Sequence, residues 1–228
     1  MRSAGLPKQF LNLMGKPIVA YTLEKFEECE EIDRIIIVSH GNYVDRMQRI
    51  IELYEFEKVE KIVVGGADRQ NSLKRGLDAV RESGAGDDDI VVIHDGVRPL
   101  VGIGTIRENI RVARQYGCAI TAHPVTESVV ITAGEDAGID DFKKRADTYT
   151  LTAPQTFLFK EIMDAYEKTA DGKQPLPLLD AAMVYASFGE RVHLVKEQGS
   201  NLKITTPEDY YVLKAILEME ENKYVFGL

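Results

Sequence analysis

The chain has 228 residues, 44% hydrophobic and 29% charged, the profile of an ordinary globular protein long enough to bury a substantial core. Its formal net charge of -9 argues against nucleic acid or an anionic membrane as partner, so a polyanionic ligand must be drawn by local basic residues. The two cysteines lack metal-ligand spacing, no run is apolar enough to span a bilayer, and Met1-Arg2-Ser3-Ala4-Gly5 is not a signal peptide, so the expected setting is a reducing cytoplasm.

Helix and strand then alternate along the chain. Ile18 to Glu27 carries apolar residues at helical spacing, and Arg34 to Ser39 is a β-branched run that predicts a buried strand. Val44 to Tyr54 predicts an amphipathic helix, and Lys61 to Val64 a second strand ended by Gly65-Gly66. Arg69 to Ser83 predicts a helix stopped at Gly84-Ala85-Gly86, followed by a third strand at Ile90 to His94. Thr105 to Tyr116 predicts a helix with Gly117 as C-cap, then a fourth strand at Cys118 to Ala122. This order implies an α/β fold, a mostly parallel sheet with helices on both faces.

From Pro124 to Thr152 the pattern changes. Val129 to Thr132, a polar turn at Ala133 to Gly138, and Asp147 to Thr152 read as strand, turn, strand. This predicts a β-arm at about 124–152 with little core of its own, packed on a second subunit. Helices are expected at Phe157 to Lys168 and Asp180 to Phe188, and a strand at Val192 to Val195. Thr206-Pro207-Glu208-Asp209 opens the last helix, with Thr206 as cap and the acids at the positive end. The whole chain, 1–228, reads as one domain without linker or repeat.

Ligands of open α/β sheets bind beyond the carboxyl ends of strands. Gly65-Gly66-Ala67-Asp68-Arg69-Gln70-Asn71-Ser72 lies at such a place, where glycines allow close backbone approach and a helix start favours anions. It is also compatible with a plain capped turn. His94-Asp95-Gly96-Val97-Arg98-Pro99 puts an aspartate at a strand end, where a carboxylate can hold Mg²⁺ beside phosphates and Arg98 can pair with it. His94 is expected to pack or hydrogen-bond locally rather than bind metal. Asn201-Leu202-Lys203-Ile204 and Pro7-Lys8-Gln9 each offer a lysine suited to phosphate, though each also fits a surface segment.

The order of these clusters is more specific than any one of them. Pro-Lys-Gln-Phe-Leu, Gly-Lys-Pro-Ile, Gly-Gly-x-x-Arg-x-x-Ser, His-Asp-x-x-Arg-Pro, Ala-Pro-Gln-x-Phe and Asn-x-Lys-Ile-Thr-x-Pro-Glu-Asp succeed one another from Pro7 to the last helix. The sequence thus resembles the methylerythritol-phosphate and ribitol-phosphate cytidylyltransferases. That resemblance implies a Rossmann-like sheet, a homodimer built by the arm, Mg²⁺, and transfer of CMP from CTP to a polyol phosphate with release of pyrophosphate. It implies that Lys8 stabilises charge at the α-phosphate and that Gly66, Arg69 and Ser72 surround the nucleotide. Asp95 matches the Mg²⁺ ligand, and Lys203 positions the acceptor. Arg145 matches an arm arginine that grips the acceptor phosphate across the dimer, and Ser128 stands where an acceptor-binding threonine is usual.

Several positions depart from the family pattern. A strand and a Gly-rich phosphate loop, with a second catalytic arginine, would precede Pro7. Met1 falls about where that motif closes, and Arg2 is two residues from the arginine's place. The expectation is a natural protein longer by roughly ten to fifteen residues, the length of one strand and its loop. Leu179, before Asp180, replaces a threonine that touches the acceptor, and Ser200 stands where some relatives carry Asp. The Pro7 and Gly15 motifs are worded closer to the ribitol branch. A non-catalytic nucleotide-binding scaffold and an enzyme for another nucleotide are the competing readings.

Overall fold

The computed structural model describes residues 5–132, 138–139, 141–169 and 180–226. Met1, Arg2, most of the polar turn from Ala133, and Leu178-Leu179 lie outside them. A 3-10 turn at Lys8–Phe10 leads into a small hairpin, β1 (Asn12–Leu13) and β2 (Lys16–Pro17). Met14 and Gly15 turn it with φ of 52° and 87°, the type I′ geometry that glycine accepts without strain. Then follow α1 (Ile18–Glu27), β3 (Ile35–Ser39), α2 (Val44–Leu53), β4 (Val59–Val64), α3 (Arg69–Glu82), β5 (Ile90–Ile93) and α4 (Ile103–Tyr116). Gly117, at φ 85°, closes α4 as its sequence predicts. The second half comprises β6 (Cys118–Pro124), β7 (Val130–Ile131), β8 (Asp141–Phe142), β9 (Tyr149–Leu158), α5 (Phe159–Thr169), α6 (Ala181–Ala186), β10 (Leu194–Lys196) and α7 (Pro207–Phe226).

The larger sheet has the order β10-β6-β9-β5, and β3 and β4 form a separate parallel pair. Among the described residues no ladder joins β3 to β5. Side chains bridge the two instead: Ile35 of β3 and Ile90 and Val92 of β5 pack on one cluster built from Phe26, Cys29, Ile32, Val101, Ile106 and Ile110.

The α/β expectation holds, with β10-β6 and β3-β4 paired in parallel, and two details differ. Strand β9 runs antiparallel to both β5 and β6. Pro154 obscured this strand, since proline removes a ladder donor and argues against a central position. The structure accommodates it at an irregularity: β9 pairs with β6 through Leu151, and resumes at Gln155, so residues 152–154 bulge opposite Thr121. The Thr121 hydroxyl donates to the Pro154 carbonyl there at 2.8 Å. The arm also differs in its return strand. Val130 and Ile131 pair with Phe142 and Asp141, whereas Tyr149 to Leu151 already belong to β9, opposite Pro124 to Ala122.

One further cluster matters for function. Leu13, Ile18, Val97, Ile204 and Leu213 bury themselves together, drawing the first hairpin, α1, the turn after β5 and the segment before α7 to one point. Fully burying each such side chain stabilises the fold by about 1.5–3 kcal/mol. Val97 and Ile204 are the neighbours of Arg98 and Lys203, so this core sets the distance between the charged groups above it.

Candidate active site

Strand β5 ends at Ile93, and the chain turns through Asp95, whose carbonyl accepts from the Arg98 amide at 3.1 Å. The Gly96 carbonyl accepts from Thr22 Oγ1 on α1 at 3.2 Å, and Val97 is buried. Asp95 is thereby fixed at the carboxyl end of the strand. Its Oδ2 meets Arg98 Nε at 3.0 Å and Lys203 Nζ at 3.1 Å, and its Oδ1 meets Arg69 NH1 at 3.4 Å. Burial alone would raise the pKa of this carboxyl. The Lys203 charge, the hydrogen bonds from Arg98 and Lys203, and the Arg69 charge outweigh it and bring the group down to about 2. Asp95 is ionised at every physiological pH.

Arg69 begins α3, and the local sequence explains why. Asp68 caps the helix, accepting from the Asn71 amide at 2.8 Å, while Ser72 Oγ donates to the Asp68 carbonyl and accepts from the Gly66 amide at 3.0 Å. Ser72 is therefore engaged in closing the glycine turn. A Cβ on Gly66 would lie 2.8 Å from the Asn71 carbonyl carbon, so the turn tolerates no side chain there.

Lys203 follows the buried Asn201 and precedes the fully buried Ile204, whose amide donates to the Val97 carbonyl at 2.9 Å. The segment is not a strand. Behind it, Thr206 Oγ1 accepts from the Asp209 amide, and Asp209 accepts from the amides of Thr205 and Thr206 at 2.7 Å, a reciprocal cap for α7. Lys8 stands close enough for Lys203 to depress its pKa and for Asp95 to raise it, with desolvation the larger, lowering cause. Phe10, at 3% exposure, anchors the turn that carries it.

Arg69, Asp95, Arg98 and Lys203 line a cavity of about 230 Å³ together with Gln155 and Asp180, whereas Lys8, Gly66 and Ser72 are not among its lining residues. The sequence quoted Gln155 and Asp180 inside motifs without a role. Gln155 Oε1 accepts from the Ala182 amide at 3.0 Å, and Asp180 Oδ1 caps α6 through the Met183 amide at 2.9 Å. Their only sequence signal was position beside Pro154 and before a helix. His94 also lines the cavity. Its Nε2 lies 3.3 Å from the Arg98 carbonyl, its ring packs on Phe26, and burial pushes its pKa down to about 4, so it is neutral as a local packing histidine should be.

Ser128 and Arg145 do not line this cavity. Both are exposed on the arm, and Arg145 NH1 donates to the Thr126 carbonyl at 3.2 Å. Arg2 and Leu179 lie outside the described residues. Among those residues no three His, Cys, Asp or Glu side chains gather as a metal cage. One ionised carboxylate at a strand end does suit Mg²⁺, which takes few protein ligands and completes its shell with phosphate oxygens and water.

Known proteins bear directly on this site. The family model for IspD, 2-C-methyl-D-erythritol 4-phosphate cytidylyltransferase, matches residues 1–219. The chain is 34% identical over 228 residues to a ribitol-5-phosphate cytidylyltransferase of Streptococcus agalactiae serotype III, covering 100% of this chain and 94% of that one. It is 38% identical over 216 residues to a 2-C-methyl-D-erythritol 4-phosphate cytidylyltransferase of Clostridium botulinum strain Langeland, covering 95% and 91%. A crystal structure of 4-diphosphocytidyl-2C-methyl-D-erythritol synthase from Anaerococcus prevotii superposes with a TM-score of 0.82 at 29% identity, covering 95% and 92%. A family model spanning nearly the whole chain and two relatives above 30% identity leave one conclusion: the chain belongs to the IspD family of cytidylyltransferases.

Proposed function

We propose that the chain transfers CMP from CTP to a polyol phosphate and releases pyrophosphate. The observation that carries this is the convergence of Arg69, Arg98 and Lys203 on Asp95 at the end of β5, with Lys8 near enough to feel the charges of Lys203 and Asp95. An oxygen of the acceptor's phosphate attacks the α-phosphorus, and the bond from that phosphorus to the bridging oxygen of the β-phosphate breaks. The attacking group is already anionic, so no protein base is needed. What the reaction requires is in-line positioning and neutralisation of charge. Lys8 stabilises the α-phosphate, Gly66, Arg69 and Ser72 border the nucleotide, and Lys203 orients the acceptor. Asp95 would hold Mg²⁺, which supplies further neutralisation of phosphate charge.

Ser128 and Arg145 are exposed on the arm and away from their own cavity, which supports a homodimer in which they serve the partner's acceptor site. The arm's apolar side chains support the same reading: Val130, Ile131 and Phe142 are 39%, 48% and 68% exposed. No helix among the described residues is long and apolar enough to cross a membrane, and we place the enzyme in the cytoplasm. Between the two acceptors of the relatives, the motif wording favours ribitol 5-phosphate over 2-C-methyl-D-erythritol 4-phosphate. Pyrophosphate release with CTP, Mg²⁺ and each acceptor offered separately tests the reading. Release with either acceptor is expected, and a folded chain that binds CTP but transfers to neither would overturn it.

A further inference from the structure

Asn201 lies two residues before Lys203, with only 8% of its surface exposed. Its Nδ2 donates to the Ala153 carbonyl on β9 at 2.5 Å, and its main-chain carbonyl accepts from Arg98 NH1 at 2.9 Å. Arg98 Nε in turn holds the Asp95 oxygen that Lys203 Nζ also meets. One buried residue thus ties the β9 wall of the cavity, the Arg98 guanidinium and the backbone carrying Lys203 into a single unit. On the other side of Lys203, Ile204 is held by the core and by its bond to Val97. The lysine is suspended between an apolar clamp and a polar one.

The apolar clamp needs no explanation beyond core packing. The polar one does, because Asn201 Oδ1 is buried without a partner among the described residues. An apolar side chain at this position would avoid that desolvation cost. The amide is therefore explained by its one bond among those residues, which ties the backbone that carries Lys203 and accepts from Arg98 to the Ala153 carbonyl of β9. We infer that Asn201 is a positioning residue, one that sets Lys203 and Arg98 against Asp95 for the transfer step; the role in transfer rests on the function proposed above.

A double-mutant cycle and a labelling experiment test this together. If Asn201 acts through Lys203, Asn201→Ala lowers kcat/KM for the acceptor by about 10–100-fold, the scale expected of a small misplacement, and leaves the KM for CTP within about twofold. The Asn201→Ala/Lys203→Ala chain is then no slower than Lys203→Ala alone. Losses that multiply would overturn the inference. Independently of activity, reductive methylation followed by peptide mass spectrometry reads the exposure of the Lys203 amine. Its reactivity should rise several-fold in Asn201→Ala while that of Lys61, on β4 and paired with Glu82, stays constant, and an unchanged Lys203 would overturn the inference. Asn201→Ser, which keeps a hydroxyl donor, should fall between the two, and it carries the test if the alanine chain does not fold. Should the parent chain transfer to neither acceptor, the proposed reaction fails, and the labelling still decides whether Asn201 holds Lys203.

Discussion

Asp95 gathers three cations on two oxygens, and that arrangement has consequences for pH. Its carboxyl is depressed from 3.8 to about 2, so the stability it contributes is present above the unfolded pKa and is lost only as pH falls toward 2. Asp95 therefore adds no acid limb to a rate profile above pH 5. His94 behaves differently. Its pKa is lowered from 6.5 to about 4, so the unfolded chain binds the extra proton between those values. The stability conferred by a neutral His94 is complete above pH 6.5 and declines as pH falls to 4, by an amount on the order of 2–3 kcal/mol. Thermal melts of the parent chain should fall between pH 7 and pH 4.5, and those of His94→Leu should fall less; parallel curves would show that another group titrates. For the chemistry, Asp95→Asn should lower kcat by about 10²–10³-fold, comparable to losing a preorganised charge-stabilising group, and should raise the Mg²⁺ concentration giving half-maximal rate. A chelator should abolish pyrophosphate release, with excess Mg²⁺ restoring it. Asp95, Arg98 and Arg69 were legible in the sequence because strand ends and glycine turns announce themselves, whereas Lys203 and Lys8 also fitted surface segments and were legible only through the order of the motifs. Gln155 was legible only as part of a motif, since what gives it a role is the Ala182 amide, a contact 27 residues away.

At the scale of elements, the start of α3 is the most constrained feature of the site. Gly66 lies against Asn71, and its amide is bound by Ser72, so the glycine turn and the helix start form one unit that aims Arg69. Gly66→Ala forces either the turn or the helix to move, and such overpacking typically costs about 1–3 kcal/mol. The expected result is a lowered melting temperature and a KM for CTP raised about tenfold or more, with the acceptor KM less affected. A variant with parental KM for CTP would mean that the turn relaxes without moving Arg69. The elements themselves were mostly readable, because β-branched runs and 3.6-residue periodicity are local signals: α1 and β3 fall within a residue of their predicted bounds. The failures were non-local. Strand β9 owes its place to pairing with β5 and β6, which no window of sequence contains, and Pro154 spoke against it. The arm was mispaired for a related reason. Two apolar runs flank a polar turn, and the second, Tyr149 to Leu151, is claimed by β6 rather than by Val130 and Ile131.

For the whole molecule, the question is how an arm with almost no core of its own stays in register. Strands β7 and β8 contribute two residue pairs, and a two-stranded hairpin is marginal in water. Its apolar side chains nonetheless stay exposed, from Val130 and Ile131 to Phe142, with Tyr149 and Leu151 at 42% each. A second subunit covering this surface would resolve both facts, and an isologous contact would make each arm serve the other chain. Phe142→Asp places a charge in that contact, so size-exclusion chromatography with light scattering should register a monomer where the parent chain elutes as a dimer. Activity should fall in step if, as proposed, Ser128 and Arg145 serve the partner's site. The sharing of sites is tested more directly by complementation. An Arg145→Ala dimer lacks the arm arginine at both sites, and a Lys8→Ala dimer lacks the lysine at both. In the mixed dimer the Arg145→Ala chain keeps its own Lys8 and receives Arg145 from its partner, so one site is whole. Random re-pairing of equal amounts makes half the dimers mixed, each with one competent site, and should restore about a quarter of parental activity if the interface is isologous. A verified mixed dimer that stays as inactive as its parents would confine each Arg145 to its own chain and remove the reason for the arm to reach across.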